Sequence, residues 1–244
     1  MINNIYIFYH ILITDDVKSI NIVAEQLNNL MISNLLSVTK KLFIGVIYGG
    51  KDKTILDGLT DLIQSYNIND NITIMFNHKN GSEDLTLTQL KIFTKTLSDD
   101  NSYFLYFHTK GVTHLEDNFF MPTKYWRHYL NYFNIIKWKD VVNKLDEGYD
   151  SCGVLWISDK EHPNLSISTW EDRGFYAGTF FWLSKSLIDK IPDTFFTNNC
   201  GLGRHCVEAL PSIVPHNFYI LDNVPIDFNI DMYKIVYNPS MYQH

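Results

Sequence analysis

Cysteine is scarce in this chain: its 244 residues include only Cys152, Cys200 and Cys206. The count is odd, and no two of these residues have the Cys-x-x-Cys spacing. Both observations argue against a disulfide framework and against a zinc site built on cysteine. We therefore expect thiols that are buried or that have no special role.

Long apolar runs and blocks of basic residues are also missing. No window approaches the roughly 18 consecutive apolar residues that a membrane-spanning helix needs. The net charge is -7 and no segment concentrates lysine or arginine, so the chain lacks the electrostatic footprint of a nucleic-acid-binding protein. The first residues, MINNIYI, lack the features of a secretory signal. A cytoplasmic protein is the expectation, and any phosphorylated ligand would have to be held by a few local cations.

Three motifs of common α/β enzymes are absent as well. The chain has no Gly-x-Ser-x-Gly, no Walker phosphate loop and no Gly-x-Gly-x-x-Gly. These motifs position a nucleophile or cradle phosphates in hydrolases and nucleotide-binding enzymes. Their absence weighs against an unrelated hydrolase or nucleotidyltransferase.

The most informative segment that is present is an apolar run, Tyr103–Phe107, which stops at His108, Thr109, Lys110 and Gly111. A short run without a polar face is typical of a strand buried on both sides, as in a parallel sheet. Open α/β sheets bind ligands just beyond the carboxyl ends of such strands. The segment therefore predicts a binding site, although the same residues could simply cap the strand and face solvent.

Strand-like and helix-like segments alternate along the first 111 residues. Apolar and β-branched runs predict strands, and apolar residues at three- and four-residue spacing predict helices. The predicted order is strand 5–13, helix 17–36, strand 42–48, helix 55–66, strand 72–76, helix 86–97 and strand 103–107. This order predicts an α/β fold with an open, mostly parallel, Rossmann-like sheet and helices on both faces. We expect a single domain in which residues 1–111 form a nucleotide-binding half.

The second half, residues 112–244, is less regular. Its predicted elements are a helix over 122–145, a buried strand at 153–157, a polar loop to 174, a strand at 175–183, and short helices at 184–191 and 204–210. A tail punctuated by prolines is predicted to follow.

Several short motifs occur in the same order as in a known family. They are Asn80–Leu87, His108-Thr-Lys-Gly111, Trp126-Arg127 with Tyr132-Phe-Asn-Ile135 and Trp138, Gly178-Thr-Phe-Phe-Trp182, and Glu208. The chain resembles glycosyltransferases of the GT-A fold, in particular a poorly characterised group with an HTKG strand end, a WR…YFNI…W helix, a GNFWW-like strand and a late Glu. The resemblance runs from about residue 5 to residue 212.

The resemblance implies transfer of a hexosyl or related sugar in carbohydrate biosynthesis, with residues 112–244 as the acceptor-binding and catalytic half. The donor would be a nucleotide sugar, UDP-linked in the first instance, the acceptor a glycan or another hydroxyl compound, and the reaction would invert the linkage. A different reading remains open: a non-catalytic carbohydrate- or nucleotide-binding domain that kept the fold and lost the metal motif.

That metal motif is where the chain departs from the family. Most GT-A enzymes use Asp-x-Asp after the fourth strand to hold Mn²⁺ or Mg²⁺, because hard cations prefer oxygen ligands. No Asp-x-Asp occurs in this sequence. A fixed ammonium at Lys110 could offset the charge of the leaving diphosphate, with a hydrogen bond from Thr109. We therefore expect a transferase that requires no metal cofactor or depends only weakly on Mn²⁺ or Mg²⁺. The competing hypothesis is a mixed-ligand metal site of His108 with Asp159 or Glu161.

Inversion also requires a carboxylate that accepts the proton of the acceptor hydroxyl. Glu208 resembles the base of inverting enzymes of this fold, and we predict a catalytic role for it beside Lys110 and His108. Glu171 and Asp172 are the competing carboxylates and are predicted to lie near the acceptor. A surface salt bridge would explain any of the three without catalysis.

The remaining candidates are assigned through the family's binding regions. Tyr9 and His10 lie on the carboxyl side of the first strand, where the family binds the base and ribose, and Tyr9 is predicted to stack on the base. Gly178 could allow close approach of the donor sugar or form a bulge, and Arg127 could reach a phosphate or be an exposed arginine. Trp170, in a polar loop, is the candidate for acceptor contact, whereas the other large aromatic residues are assigned to the core.

Overall fold

The computed structural model describes residues 4–48, 50–66, 72–77, 83–158, 174–196 and 205–222. The strands within these ranges are β1 (Asn4–Ile13), β2 (Thr39–Tyr48), β3 (Ile72–Asn77), β4 (Ser102–His108), β5 (Ser151–Gly153), β6 (Trp156–Ser158), β7 (Gly174–Tyr176), β8 (Phe181–Ser184) and β9 (Phe218–Ile220). The α-helices are α1 (Lys18–Ile32), α2 (Leu35–Val38), α3 (Lys53–Ser65), α4 (Asp84–Thr94), α5 (Phe120–Asn131), α6 (Trp138–Asp146), α7 (Lys185–Lys190) and α8 (His205–Ala209).

Seven of the strands form one sheet in the order β3-β2-β1-β4-β8-β5-β9. The first four strands of the chain run parallel, with β1 between β2 and β4. β8 is antiparallel to both of its neighbours, and β9 is parallel to β5. The predicted α/β fold, an open and mostly parallel Rossmann-like sheet, is confirmed.

Helices cover both faces of this sheet, as predicted. On one face, Tyr9 and Phe107 belong to the larger core, which includes apolar side chains of α1, α3, α5 and α6. On the other face, Phe8 and Tyr106 pack with apolar side chains of α4, α7 and α8. Because successive side chains of a strand point to opposite faces, neighbouring residues of one strand enter different cores.

Two predicted strands are each broken by left-handed backbone. The predicted strand 153–157 becomes β5 and β6, with Leu155 between them at φ 56°. The predicted strand 175–183 becomes β7 and β8, separated by Gly178 at φ 92° and Thr179 at φ 61°. At both breaks the chain passes between the main sheet and the separate β6–β7 pair. An apolar run does not reveal such a break, because both resulting strands are buried.

The long predicted helices are also divided. The segment predicted as a helix over 17–36 forms α1 and the short α2, and the segment predicted over 122–145 forms α5 and α6 with one π-helical turn, Tyr132–Ile136, between them. β9 lies in the segment predicted to be a tail. In the part of the chain described, no helix combines the length and the apolar composition needed to cross a bilayer.

Candidate functional site

The pairing of β1 with β4 brings two histidines together at the carboxyl edge of the sheet. His10 and His108 are register partners on these parallel strands. Their positions in the strands place them on the same face as Tyr106, the face covered by α4 and α8. The sequence predicted each histidine separately, and the register makes them neighbours.

His10 is held in place by α4. Its Nδ1 lies 2.9 Å from Oγ1 of Thr86, and only 5% of the residue is exposed. A Cβ atom added to Gly45 of β2 would lie 2.0 Å from the same Oγ1, so a side chain at Gly45 would displace the threonine. Burial lowers the pKa of His10 to about 4, and the imidazole is therefore neutral at neutral pH.

His108 has a defined tautomer. Its Nε2 lies 3.0 Å from the carbonyl oxygen of Gly178, and because a carbonyl can only accept, Nε2 carries the proton. Burial, aided by the charge of Lys110, lowers the pKa of His108 to about 4. The neutral ring therefore keeps a lone pair on Nδ1, which can accept a hydrogen bond from a ligand hydroxyl.

Glu83, which was not among the predicted site residues, joins the histidines from the start of α4. The hydroxyl of Tyr106 donates a hydrogen bond to its carboxylate. Burial raises the pKa of Glu83, and the nearby Glu208 acts in the same direction, whereas His10, Tyr106 and Lys110 oppose the shift. The sequence held one signal for this residue, since Glu83 lies within the motif 80–87.

Lys110 extends from the end of β4 over an aromatic ring. Its Nζ lies 3.8 Å from the ring centroid of Trp126, a distance at which the cation is attracted to the ring face. Its charge acts on both His108 and Glu83. Gly111 follows at φ 87°, a conformation that favours glycine and explains the residue that ends the His-Thr-Lys-Gly motif.

Arg127 supports this turn from the core and does not point to an open phosphate site. Its Nη1 donates to the carbonyl of Lys110 at 2.9 Å, and its Nε and Nη2 bind the two carboxylate oxygens of Glu25, each at 2.9 Å. Burial alone would raise the pKa of Glu25, but the hydrogen bonds from Arg127 and His128 outweigh it and lower the pKa to about 2. We therefore assign Arg127 to a buried ion pair that positions Lys110.

Thr109 joins the ends of β1 and β4. Its Oγ1 accepts a hydrogen bond from the backbone N–H of Leu12 at 3.0 Å, and its own N–H donates to the carbonyl of His10 at 3.1 Å. The hydroxyl is therefore engaged with the protein backbone. Its O–H also donates to the carbonyl oxygen of Leu12 at 3.3 Å, so the predicted donation to a diphosphate would have to replace that hydrogen bond.

Tyr9 lies in the core and not among the polar residues of the candidate site. Its ring is fully buried and stacks on Phe107, with 4.2 Å between ring centroids, and its hydroxyl donates to Oε1 of Gln26. A nucleobase could stack on this ring only if Phe107 moved aside. The residue belongs to the opposite face from His10, and we correct the prediction of base stacking accordingly.

Gly178 makes its close contacts within the protein. A Cβ atom there would lie 2.7 Å from Cδ1 of Leu130 and 3.2 Å from the ring of Trp126. The glycine therefore lets the turn between β7 and β8 pack against α5 and present its carbonyl to His108. The predicted approach of a donor sugar to Gly178 would have to use its backbone.

Glu208 reaches the same cluster from α8. Its charge acts on Glu83 and on His108, and its side chain is partly exposed. The structure thus brings together four residues that the sequence singled out, His10, His108, Lys110 and Glu208, and adds Glu83 with its partner Tyr106.

Other predicted residues lie outside the described ranges. These are the acceptor candidates Trp170, Glu171 and Asp172 and the metal candidates Asp159 and Glu161. Among the residues that are described, no three His, Cys, Asp or Glu side chains are grouped so that they could hold a metal ion. Cys152 is buried and free, in agreement with the expected buried thiols.

Comparison with known proteins identifies a family. Residues 8–155, more than half of the chain, match the family described as Domain of unknown function (DUF8361), and the chain belongs to it. The curated proteins give no match. Among solved structures, the chain is similar to 4-diphosphocytidyl-2C-methyl-D-erythritol synthase from Anaerococcus prevotii, with 9% identity, a TM-score of 0.43 and full coverage of both chains. At this distance no activity or residue role is carried over.

Proposed function

We propose that this DUF8361 member is a glycosyltransferase that moves a sugar from a nucleotide-sugar donor to a hydroxyl acceptor with inversion. The observation that carries the proposal lies at the carboxyl edge of a parallel sheet, where neutral His10 and His108 are register partners and the charges of a cation, Lys110, and a carboxylate, Glu208, both act on His108. Ligands of open α/β sheets bind at this edge.

The two charged groups have complementary tasks in such a reaction. The acceptor oxygen forms a bond to the anomeric carbon while the bond from that carbon to the diphosphate oxygen breaks, and the bonding electrons leave with the diphosphate. The ammonium of Lys110 offsets the negative charge on the leaving group, which is the role of a divalent cation in Asp-x-Asp enzymes. Glu208 takes the proton from the acceptor hydroxyl.

The neutral histidines suit a carbohydrate ligand. Sugar hydroxyls both donate and accept hydrogen bonds, and a neutral imidazole offers a lone pair without adding charge. In this proposal Nδ1 of His108 accepts a hydrogen bond from a donor hydroxyl, while Nε2 remains bound to Gly178.

The proposal is tested first by thermal unfolding against UDP-, GDP- and dTDP-sugars, each with Mn²⁺ and with EDTA. A ligand at about a hundred times its dissociation constant adds ~2.7 kcal/mol of stability. We expect a shift with one donor that persists in EDTA. A shift that requires Mn²⁺ would favour a metal site at His108, and no shift with any donor would favour the non-catalytic reading.

Two variants then test the chemistry with the donor so identified. Lys110→Ala should reduce transfer at least tenfold, and Glu208→Gln should reduce it while leaving donor binding intact. Lys139→Ala is the matched control, since Lys139 also lies beside a tryptophan, Trp138, but on α6. Wild-type transfer by folded Lys110→Ala or Glu208→Gln would eliminate the role assigned to that residue.

A further inference from the structure

Glu83 occupies a position that helix formation alone does not explain. It stands at the N-cap of α4, yet its side chain makes no capping hydrogen bond. Its backbone carbonyl accepts hydrogen bonds from the N–H groups of Thr86 and Leu87, each at 3.1 Å. The carboxylate turns toward the sheet, where the hydroxyl of Tyr106 donates to Oε2.

The need of the Tyr106 hydroxyl for a hydrogen-bond acceptor does not explain why a carboxylate stands at this position either. A buried phenol needs a hydrogen-bond acceptor, but a neutral side chain or a carbonyl would serve at a smaller desolvation cost. The contact also occupies one carboxylate oxygen and leaves the other. Among the residues that the structure describes, Oε1 of Glu83 takes part in no hydrogen bond, and the residue as a whole is only partly buried. A second acceptor is thus available to a ligand.

The surroundings of Glu83 place it inside the candidate site. Its charge interacts with groups from three other parts of the chain: His10 on β1, Lys110 after β4, and Glu208 on α8. The proposed function assigns the diphosphate to Lys110, and a carboxyl group would repel that anion. The part of a nucleotide sugar that suits Glu83 is therefore a hydroxyl group, which pairs with a carboxyl in either protonation state.

We propose that Glu83 binds a hydroxyl of the transferred sugar through Oε1, and that Tyr106 is the positioning residue that orients its carboxyl group. The inference rests on the proposed function, because it assumes a nucleotide-sugar donor. It adds a sugar-binding residue that is separate from the diphosphate contact at Lys110 and from the base at Glu208.

The test compares two ligands by isothermal titration calorimetry: a nucleotide sugar and the matching nucleoside diphosphate without the sugar. For Glu83→Ala we expect affinity for the nucleotide sugar to fall tenfold or more, as for a lost hydrogen bond to a charged group. Affinity for the diphosphate should stay within twofold. Tyr106→Phe should lower only the nucleotide-sugar affinity, by a smaller factor.

Controls separate the inference from its premise. Glu147→Ala removes an exposed carboxylate paired with Lys144 and should leave both affinities unchanged. If Glu83→Ala does not fold, Glu83→Gln keeps the side-chain volume and an acceptor for Tyr106 but removes the second carboxylate oxygen, and its affinity for the nucleotide sugar should still fall while its affinity for the diphosphate does not. Equal losses for both ligands, or no loss, overturn the inference alone. A wild-type protein that binds the diphosphate but no nucleotide sugar overturns the proposed function as well.

Discussion

The ion pair between Arg127 and Glu25 should be a large single contribution to stability, because the arginine is almost completely buried. The side chains are 3% and 26% exposed, and Nε and Nη2 of Arg127 each lie 2.9 Å from a carboxylate oxygen of Glu25. Glu25→Gln removes the negative charge with little change in shape. It leaves the guanidinium charged and buried, the situation in which breaking an ion pair costs about 3–5 kcal/mol.

The pKa of Glu25 gives an independent magnitude. Arg127 and His128 together lower it from 4.5 to about 2, and at ~1.36 kcal/mol per pH unit this corresponds to about 3 kcal/mol. A carboxyl whose pKa is lowered by folding stabilises the protein above its unfolded pKa. That stabilisation is lost as the pH falls through 4.5 toward 2. The difference in the free energy of unfolding between wild type and Glu25→Gln should therefore be about 1.4 kcal/mol smaller at about pH 3.5 than at pH 7.

Urea unfolding at pH 7 and pH 3.5 measures both the stability cost of Glu25→Gln and its change with pH. At pH 7 we expect Glu25→Gln to cost about 3 kcal/mol, or a fall in Tm of roughly 6–12 °C for a chain of this size. The matched control is Glu116→Gln, which breaks a pair with Lys18 of the same 2.9 Å length but with side chains 78% and 46% exposed. Exposed pairs contribute at most about 1 kcal/mol. Equal costs for the two variants, or a difference that does not change with pH, would refute the reasoning.

Three further predictions concern a glycine, a core aromatic residue and a histidine. Gly111→Ala should lower the free energy of unfolding in urea more than Gly148→Ala does. Both glycines have positive φ, but of the two only Gly111 has a neighbour that a Cβ would meet, Thr123 at 3.1 Å. Equal losses of stability would contradict the packing argument. Tyr9→Leu should lower stability by about 2–4 kcal/mol and leave nucleotide affinity within twofold by calorimetry, whereas a tenfold weaker affinity would reinstate base stacking. The stability of the wild-type protein should fall as the pH drops from 6.5 toward 4, because folding lowers the pKa of His108. The stability of His108→Asn should depend less steeply on pH. The same pH dependence in wild type and variant would show that the histidine is not buried and neutral.

Much of the fold could be predicted because its signals are local. The apolar run 103–107 and the alternation before it indicate buried parallel strands with helices between them, and the sheet has that arrangement. The rule that ligands bind at the carboxyl ends of such strands directed attention to His108 and Lys110. Both residues belong to the candidate site, together with His10 and Glu208.

Predictions that needed a partner distant in sequence were less successful. Arg127 has the same local pattern whether it faces solvent or a carboxylate, and its partner Glu25 is 102 residues away. Tyr9 and His10 are adjacent in β1, yet their side chains enter opposite faces of the sheet. Only the positions of α4 and α1 decide which face carries the site.

By itself the sequence determined the alternation of strands and helices, and it predicted the strand whose end carries the candidate site. These properties follow from burial patterns and backbone preferences within a few residues. The tertiary structure decided the rest: the pairing of His10 with His108, the ion pair that positions Lys110, and the approach of Glu83 and Glu208 to one cluster. Such contacts depend on how whole elements pack, because they join residues separated by tens of positions that no local pattern relates.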